Sequence, residues 1–406
     1  MRILFVCNKS PWPMHEGGPM AMNSLIMGLV RAGHQVKVLA VNSEKYHVDP
    51  ALIPEDYKKL TGLELVHLDL RLKIIPAFFS MLRRRSYHVQ RFISDAFRER
   101  LVRLLRQQPY DVVQLETVFV APYLDVIRQH SKAHIILRAH NIEHLIWERM
   151  AMQTANPLKK FYLNDLAGLL KQYEKNVATR VDGIAAITRN DAAFFRGITS
   201  KPVIDLPFGV MSGQIAGEAA KPGVGYKLFH IGAMNWMPNE EGMRWFLDDI
   251  WPELHRLYPE LTLTLAGRFM PDWLVTGYKQ GVEVVGEVKD ARQFVESHDV
   301  AIVPLRSGSG IRIKIIEAMA AGKPVVATTV GAEGIICTHG VNIFIADRLQ
   351  DFIEFAGLLK AHPEKIADIA AGGLKMVRQH YNNEELVLRL LVFYNEVRKR
   401  LGSVAL

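Results

Sequence analysis

Between residues 304 and 327 the chain reads Pro304-Leu305-Arg306-Ser307-Gly308-Ser309-Gly310-Ile311-Arg312-Ile313-Lys314-Ile315-Ile316-Glu317-Ala318-Met319-Ala320-Ala321-Gly322-Lys323-Pro324-Val325-Val326-Ala327. The pattern is the end of a strand, a Gly/Ser-rich loop, a helix start and a second strand. Backbone N–H groups at a helix N-terminus beside a glycine loop attract anions, phosphates above all. Arg312 and Lys314 add fixed positive charge. At about 100° per residue, Gly310, Lys314 and Glu317 fall within roughly 60° of one another on one helix face. Lys314 can then face a diphosphate, with Glu317 further along as an acceptor for ribose hydroxyls. Taken alone, Arg312, Lys314 and Glu317 also fit a solvated face with an i,i+3 ion pair. The preceding Ser-Gly-Ser-Gly run favours the anion site.

Such a loop needs a parallel sheet to position it, and the rest of the sequence supplies the pattern. Ile3 to Val6 is a short apolar run, followed by Pro11, Pro13, Gly17 and Gly18 as a loop, a helix from about Met20 to Ala32, and a strand from Gln35 to Ala40. Strand, loop, helix and strand make a βαβ unit. Further strands are expected at 111–115, 134–137 and 183–187, with a long helical stretch from about Ile142 to Ala178. Residues 216–226, rich in Ala, Gly and Lys, read as a linker. A second series of strands is expected at 228–232, 261–266, 282–285, 300–303 and 324–327. The last helix, from about Glu384 to Leu401, carries Leu386, Leu388, Leu390, Leu391 and Phe393 and must dock.

With 406 residues, two α/β domains are the natural division. The net charge of +8 suits anionic partners without choosing among them. Cys7 and Cys337 sit in or beside apolar runs and read as two buried thiols of a reducing compartment. No apolar stretch reaches the roughly 18 residues of a membrane span. The short apolar start is not a signal peptide, so a cytoplasmic protein, or one peripheral at the inner face of a membrane, is expected.

The stretch around Glu317 resembles the donor-binding signature of retaining, nucleotide-sugar-dependent glycosyltransferases of the GT-B fold, the large family typified by bacterial mannosyl- and glucosyltransferases. The family pattern is a Glu, seven residues, a second Glu, then Ala-Met-Ala and a Gly-x-Pro-Val-Val strand. Glu317-Ala318-Met319-Ala320-Ala321-Gly322-Lys323-Pro324-Val325-Val326 matches its second half. The first Glu falls on Ser309, and Gly310-Ile311-Arg312-Ile313-Lys314 is similar to a Gly-x-Arg-x-Lys variant. Gly17-Gly18 resembles the family's N-terminal glycine loop, although a bare Gly-Gly also fits a plain turn. Arg138-Ala139-His140-Asn141 stands where the family often carries a His near the reacting sugar. Phe229-His230-Ile231-Gly232-Ala233-Met234 resembles the first strand and loop of the nucleotide domain. There the usual Arg and Lys are missing, and Arg312 and Lys314 are expected to supply that charge. Leu265-Ala266-Gly267-Arg268 and Val285-Gly286-Glu287-Val288 match later strand ends, the loop near Val288 bordering the base. Glu333 is either a sugar or phosphate contact or part of a surface turn.

The resemblance implies two doubly wound, Rossmann-like domains facing each other across a cleft. The expected boundaries are 1–212 for the acceptor side, 213–227 for the linker, 228–382 for the nucleotide-sugar domain and 383–406 for a helix packing back on the first domain. It implies hexosyl-type transfer, with retention, from a nucleoside-diphosphate sugar to a saccharide or lipid-linked acceptor in cell-surface polysaccharide or glycolipid biosynthesis. His140, Lys314 and Glu317 are the expected catalytic residues. Gly17, Gly18, Gly232, Arg268, Val288, Ser309, Gly310, Ile311, Arg312 and Glu333 are the expected donor contacts. No cofactor beyond the nucleotide-sugar co-substrate is expected. No Asp-x-Asp occurs in the chain, so metal-independent transfer is expected. Residues 71–106 interleave arginines with Ile74, Ile75, Phe78, Phe79, Met81 and Leu82. That segment suits an anionic membrane surface or, equally, a helix pair with a solvated basic face. No nucleic-acid motif accompanies the charge. Two other readings stay open: a nucleotide-sugar epimerase on the same fold and a non-catalytic nucleotide-sugar-binding subunit. A nicotinamide dehydrogenase is disfavoured, because no Gly-x-Gly-x-x-Gly follows the first strand.

Overall fold

The first apolar run of the chain, Arg2–Cys7 (β1), is buried along five of its six residues, as expected of a strand covered on both faces. The structure is a computed structural model that describes residues 1–71, 84, 86–219, 226–277, 279–308 and 310–402. The chain divides into two compact units, Met1–Phe208 with Glu384–Leu406, and Gly209–Asn383. The crossings thus fall at 208/209 and 383/384 rather than at the ends of a linker over 213–227. Residues 220–225 lie outside the described ones. Ala216 is tied into the second unit by its N–H bond to Ala320 O at 2.7 Å and by Arg378 donating to its carbonyl, also at 2.7 Å.

In the first unit, β1 is joined by β2 (Gln35–Asn42), β3 (Glu64–His67), β4 (Val112–Glu116), β5 (His134–Ala139), β6 (Gly183–Ala186) and β7 (Val203–Asp205). The sheet order is β3-β2-β1-β4-β5-β6-β7, with every pairing parallel. The strand order reverses between β1 and β4, and a ligand crevice is expected outside the carboxyl ends of the strands at such a point. Helix α1 spans Gly17–Arg31, so Gly17 and Gly18 form its first turn instead of a loop before it. Helix α2 spans Asp95–Gln107 and is capped by Ser94, whose side chain accepts from Phe97 N–H.

The long helical stretch expected at 142–178 is two helices, α3 (Glu143–Gln153) and α4 (Pro157–Arg180). The break follows from Asn156-Pro157: Asn156 accepts from Lys159 N–H as a cap, and Pro157 takes the first helical position, where no N–H is needed. The C-terminal helix, Asn383–Gly402, joins the core of this unit through Leu386, Val387, Leu390, Phe393, Tyr394 and Val397. Leu388, expected on the docked face, is 55% exposed.

The second unit contains β8 (Lys227–Ile231), β9 (Thr262–Ala266), β10 (Val282–Gly286), β11 (Val300–Val303), β12 (Val325–Ala327) and β13 (Phe344–Ile345). Their order is β10-β9-β8-β11-β12-β13, again all parallel. Its reversal point lies between β8 and β11. Helix α5 (Met237–Trp245) follows β8, and helix α6 (Ile313–Ala320) lies between β11 and β12. Helix α6 buries Ile313, Ile315, Ile316 and Met319, which turns Lys314 and Glu317 to its other side. Cys7 is buried, whereas Cys337 is only half-buried, contrary to the expectation of two buried thiols.

Candidate active site

The centre of the second unit's site is the ammonium of Lys314. It donates to Asn239 Oδ1 at 2.8 Å and to His230 Nε2 at 3.2 Å. His230 sits in β8 and its Nδ1–H donates across the reversal point to Ile302 O in β11, at 2.8 Å. That bond fixes the tautomer and leaves Nε2 as the acceptor that Lys314 uses. Asn239 is fixed in turn, because its amide donates to Ala233 O at 2.9 Å. Two residues, from β8 and α5, therefore hold the cation of α6 at the carboxyl end of the sheet. Two of its three N–H bonds are committed, and the third can meet an anion.

Two glycines make room for this arrangement. A Cβ on Gly232 would stand 2.5 Å from Lys314 Nζ and 2.8 Å from Asn239 Nδ2, so no side chain fits there without displacing the cation. Gly267 has φ +142°, and a Cβ there would lie 1.9 Å from Gly232 O. The ends of β8 and β9 can approach this closely only with glycine at 267, whereas glycine at 232 leaves room for Lys314 and Asn239.

Burial and then the nearby Arg312 bring Lys314 down to about 7, against the opposing pull of Glu317. Burial pushes Glu317 up to about 7, with Lys314 opposing. His230 is held well below its usual range by burial and then by Lys314, so it is neutral. An arriving phosphate would restore the full charge of Lys314 and meet a preorganised donor.

Lys314 and Glu317 share a face of α6, one turn apart. Gly310 does not join them on that face, because the helix begins only at Ile313. Gly310 and the half-buried Ile311 belong to the loop, and Arg312 takes the N-cap position. The Arg312 side chain is 3% exposed, donates to Gly310 O at 2.5 Å and lies over the Trp236 ring, 5.5 Å from its centroid. It shapes the loop from within rather than standing out as a surface charge. Ser309 lies outside the described residues. Arg268 follows β9, where its carbonyl accepts from Met234 N–H at 2.9 Å and its guanidinium lies 3.3 Å from Glu287. Val288 is half-buried in the loop after β10, and Glu333 is half-buried in a turn.

His140, Gly17 and Gly18 belong to the first unit. Arg138 and Ala139 are the last residues of β5, so His140 is the first beyond it. Its Nε2 lies 2.5 Å from Glu116 Oε2 at the end of β4. Glu116 is fully buried; it also accepts from Gln114 at 2.6 Å and faces Arg138 Nη1 at 3.7 Å. Burial alone would raise the Glu116 carboxyl, but Arg138, then His140 and Gln114, hold it below its usual range. Burial lowers His140 despite the opposing pull of Glu116. The consistent state is an ionised Glu116 and a neutral His140 with its proton on Nε2. Nδ1 is then a lone-pair acceptor, suited to a sugar hydroxyl. A small void at this end of the sheet, without room for a water molecule, is lined by Thr117, Val118, His140, Asn141 and Glu143. Burial and then Glu174 push Glu143 up to about 7.

His230, Asn239 and Glu116 were not singled out from sequence as functional residues. Only His230 lay within a quoted run, as part of the strand beginning at Phe229. A short buried strand with one histidine among apolar residues was the available signal, and it also fits a satisfied core histidine.

The sequence profile of the family described as glycosyl transferases group 1 matches residues 225–360, which contain this whole Lys314 site. Over 98% of its length the chain is similar to sucrose-phosphate synthase of Thermosynechococcus elongatus (TM-score 0.68, 14% identity, all of that chain covered). It is also similar to HepE of Anabaena, solved with UDP and glucose (TM-score 0.65, 14% identity, 97% of this chain and 99% of that one). The chain therefore has the GT-B fold of these structures, and its residues 225–360 resemble the glycosyl transferases group 1 family. Among curated proteins it resembles the uncharacterized 44.6 kDa protein of the Klebsiella pneumoniae cps region, at 21% identity over 403 residues (95% of this chain and 97% of that one).

Proposed function

We propose that this protein transfers a hexosyl group from a nucleoside-diphosphate sugar to a saccharide or lipid-linked acceptor, with retention of configuration and without a metal ion, in the synthesis of a cell-surface polysaccharide. The observation that carries the reading is the Lys314 ammonium held by His230 and Asn239 beside the N-terminus of α6. Loss of a nucleoside diphosphate leaves growing negative charge on the leaving phosphate. A fixed cation and helix-terminal N–H groups stabilise that charge as it develops. Glu317 is assigned to the ribose, and His140, through Nδ1, to a hydroxyl of the reacting sugar. Gly17, Gly18, Gly232, Arg268, Val288, Ser309, Gly310, Ile311, Arg312 and Glu333 are assigned to the donor's surroundings. No protein nucleophile is assigned, and the leaving phosphate takes the acceptor's proton. UDP in the HepE structure and the cps-region relative support a nucleotide-sugar donor and a polysaccharide product.

The test is a thermal-shift series with UDP, GDP, ADP and CMP and their sugar conjugates, with EDTA and then with Mg²⁺. A ligand that binds only the folded state raises Tm by mass action. Stabilisation by one nucleoside diphosphate in EDTA, followed by EDTA-insensitive transfer, is the expected result. No stabilisation by any of them would overturn the donor reading, and transfer abolished by EDTA would overturn metal independence.

A further inference from the structure

The α3–α4 hairpin of the first unit ends in a surface that its core does not account for. At its tip Met152 is 75% exposed, Leu158 81% and Phe161 73%, and Tyr162 is also exposed. Phe161 and Tyr162 lie within roughly 60° of Leu158 around α4, whereas the buried Leu163, Leu166 and Leu170 lie roughly 80–140° away. Leu158 and Phe161 therefore stand off the buried face, and Tyr162, about 40° from Leu166, borders it. Asp165, one turn beyond Phe161, marks the polar end of this surface.

Charge identifies the occupant. From Arg149 to Asn164 the chain has three cations, Arg149, Lys159 and Lys160, and no carboxylate. All three cations are exposed. Large apolar side chains interleaved with lysines at a helix start suit the boundary between lipid headgroups and acyl chains: the carbons enter the apolar layer and the ammonium groups stay on the phosphates. A two-fold contact with a second copy would instead bring like charges together. Helix α2 offers a contrast. There Arg98 pairs with Asp95 and Arg100 with Glu64, and no large apolar side chain of α2 stands exposed.

We propose that the tip of the α3–α4 hairpin docks the protein on an anionic membrane surface, with Met152, Leu158 and Phe161 in the interface and Lys159 and Lys160 on lipid phosphates. The inference stands on the hairpin alone and does not depend on the donor chemistry.

The test sediments the full chain with vesicles of phosphatidylcholine alone and of phosphatidylcholine mixed with phosphatidylglycerol, at low and high salt. Binding to the mixed vesicles, weakened by salt, is expected. Leu158→Ser with Phe161→Ser should lower the partition coefficient by about tenfold or more. Lys159→Gln with Lys160→Gln should lower it about fivefold per lysine. Both variants should keep the wild-type Tm, because the side chains removed are exposed. Arg103→Gln with Arg106→Gln on α2 should leave binding unchanged. The proposal is overturned if wild type binds neither vesicle, if the Leu158/Phe161 variant binds like wild type, or if the α2 pair removes the binding. A concentration-dependent dimer in sedimentation velocity that the Leu158/Phe161 variant abolishes would also overturn it and assign the surface to a second copy.

Discussion

His140 and His230 both stand at the carboxyl ends of parallel strands, and both are neutral, but they keep their protons on different nitrogens. In the first unit an ionised, buried Glu116 accepts the hydrogen bond from Nε2–H of His140, leaving Nδ1 as an acceptor. In the second unit a backbone carbonyl accepts the hydrogen bond from Nδ1–H of His230, and the remaining acceptor, Nε2, is met by Lys314. The first arrangement can receive a hydroxyl; the second presents a cation to an anion. The same side chain therefore serves opposite polarities, and the choice is made by the group behind it.

Removing the cation should have the largest effect. Lys314→Ala should lower turnover on the order of 10²–10³-fold, as loss of one preorganised donor to a developing anion does. It should also erase the Tm increase given by the nucleoside diphosphate. Gly232→Ala should reproduce much of this loss, because the new Cβ would stand 2.5 Å from the ammonium and displace it. A Gly232→Ala protein with wild-type turnover would show that the fixed position of Lys314 is irrelevant.

The first unit should respond more weakly and in a different parameter. His140→Ala should lower turnover by about tenfold to a hundredfold, in the range of a positioned polar group, while the nucleoside diphosphate still raises Tm as in wild type. Glu116→Gln should act in the same direction, since the amide cannot stabilise the same tautomer. It should also destabilise the fold by about 3 kcal/mol, the scale for stranding the buried Arg138 without its partner. Unchanged turnover in His140→Ala would remove the first unit's histidine from the site.

The smallest effects are in pH. Lys314 sits near 7 in the free protein, and a diphosphate favours its charged form. Affinity should therefore weaken by about an order of magnitude as pH rises from about 7 to 9, with proton uptake on binding. Calorimetry in buffers of different ionisation enthalpy reads that uptake directly. Glu317 contributes to stability with its own sign. Its folded value of about 7 stands above the ordinary 4.5, so the folded state holds more protons across that window. Stability falls as pH rises through it and stays lost above it. Glu317→Gln should melt higher than wild type at pH 8, with the gap closing toward pH 5, while losing donor affinity. A gap that does not change with pH would show that Glu317 is already ionised in the folded protein.

By itself the sequence determined the strand–loop–helix alternation, because buried parallel strands are written as local apolar runs such as Ile3 to Val6 and Val300 to Val303. It also put Lys314 and Glu317 on one helix just beyond a glycine loop, since these residues lie within one short stretch. Strands β3, β7 and β13 were not legible: β3 and β7 are only partly buried, and β13 has only two residues. What only the tertiary structure decided is which groups stand behind the reactive ones. His230 and Asn239 meet Lys314 from 84 and 75 residues away, and Glu116 meets His140 from 24. Those partners are chosen by strand order and by which strand ends lie side by side, and no local pattern of residues records either.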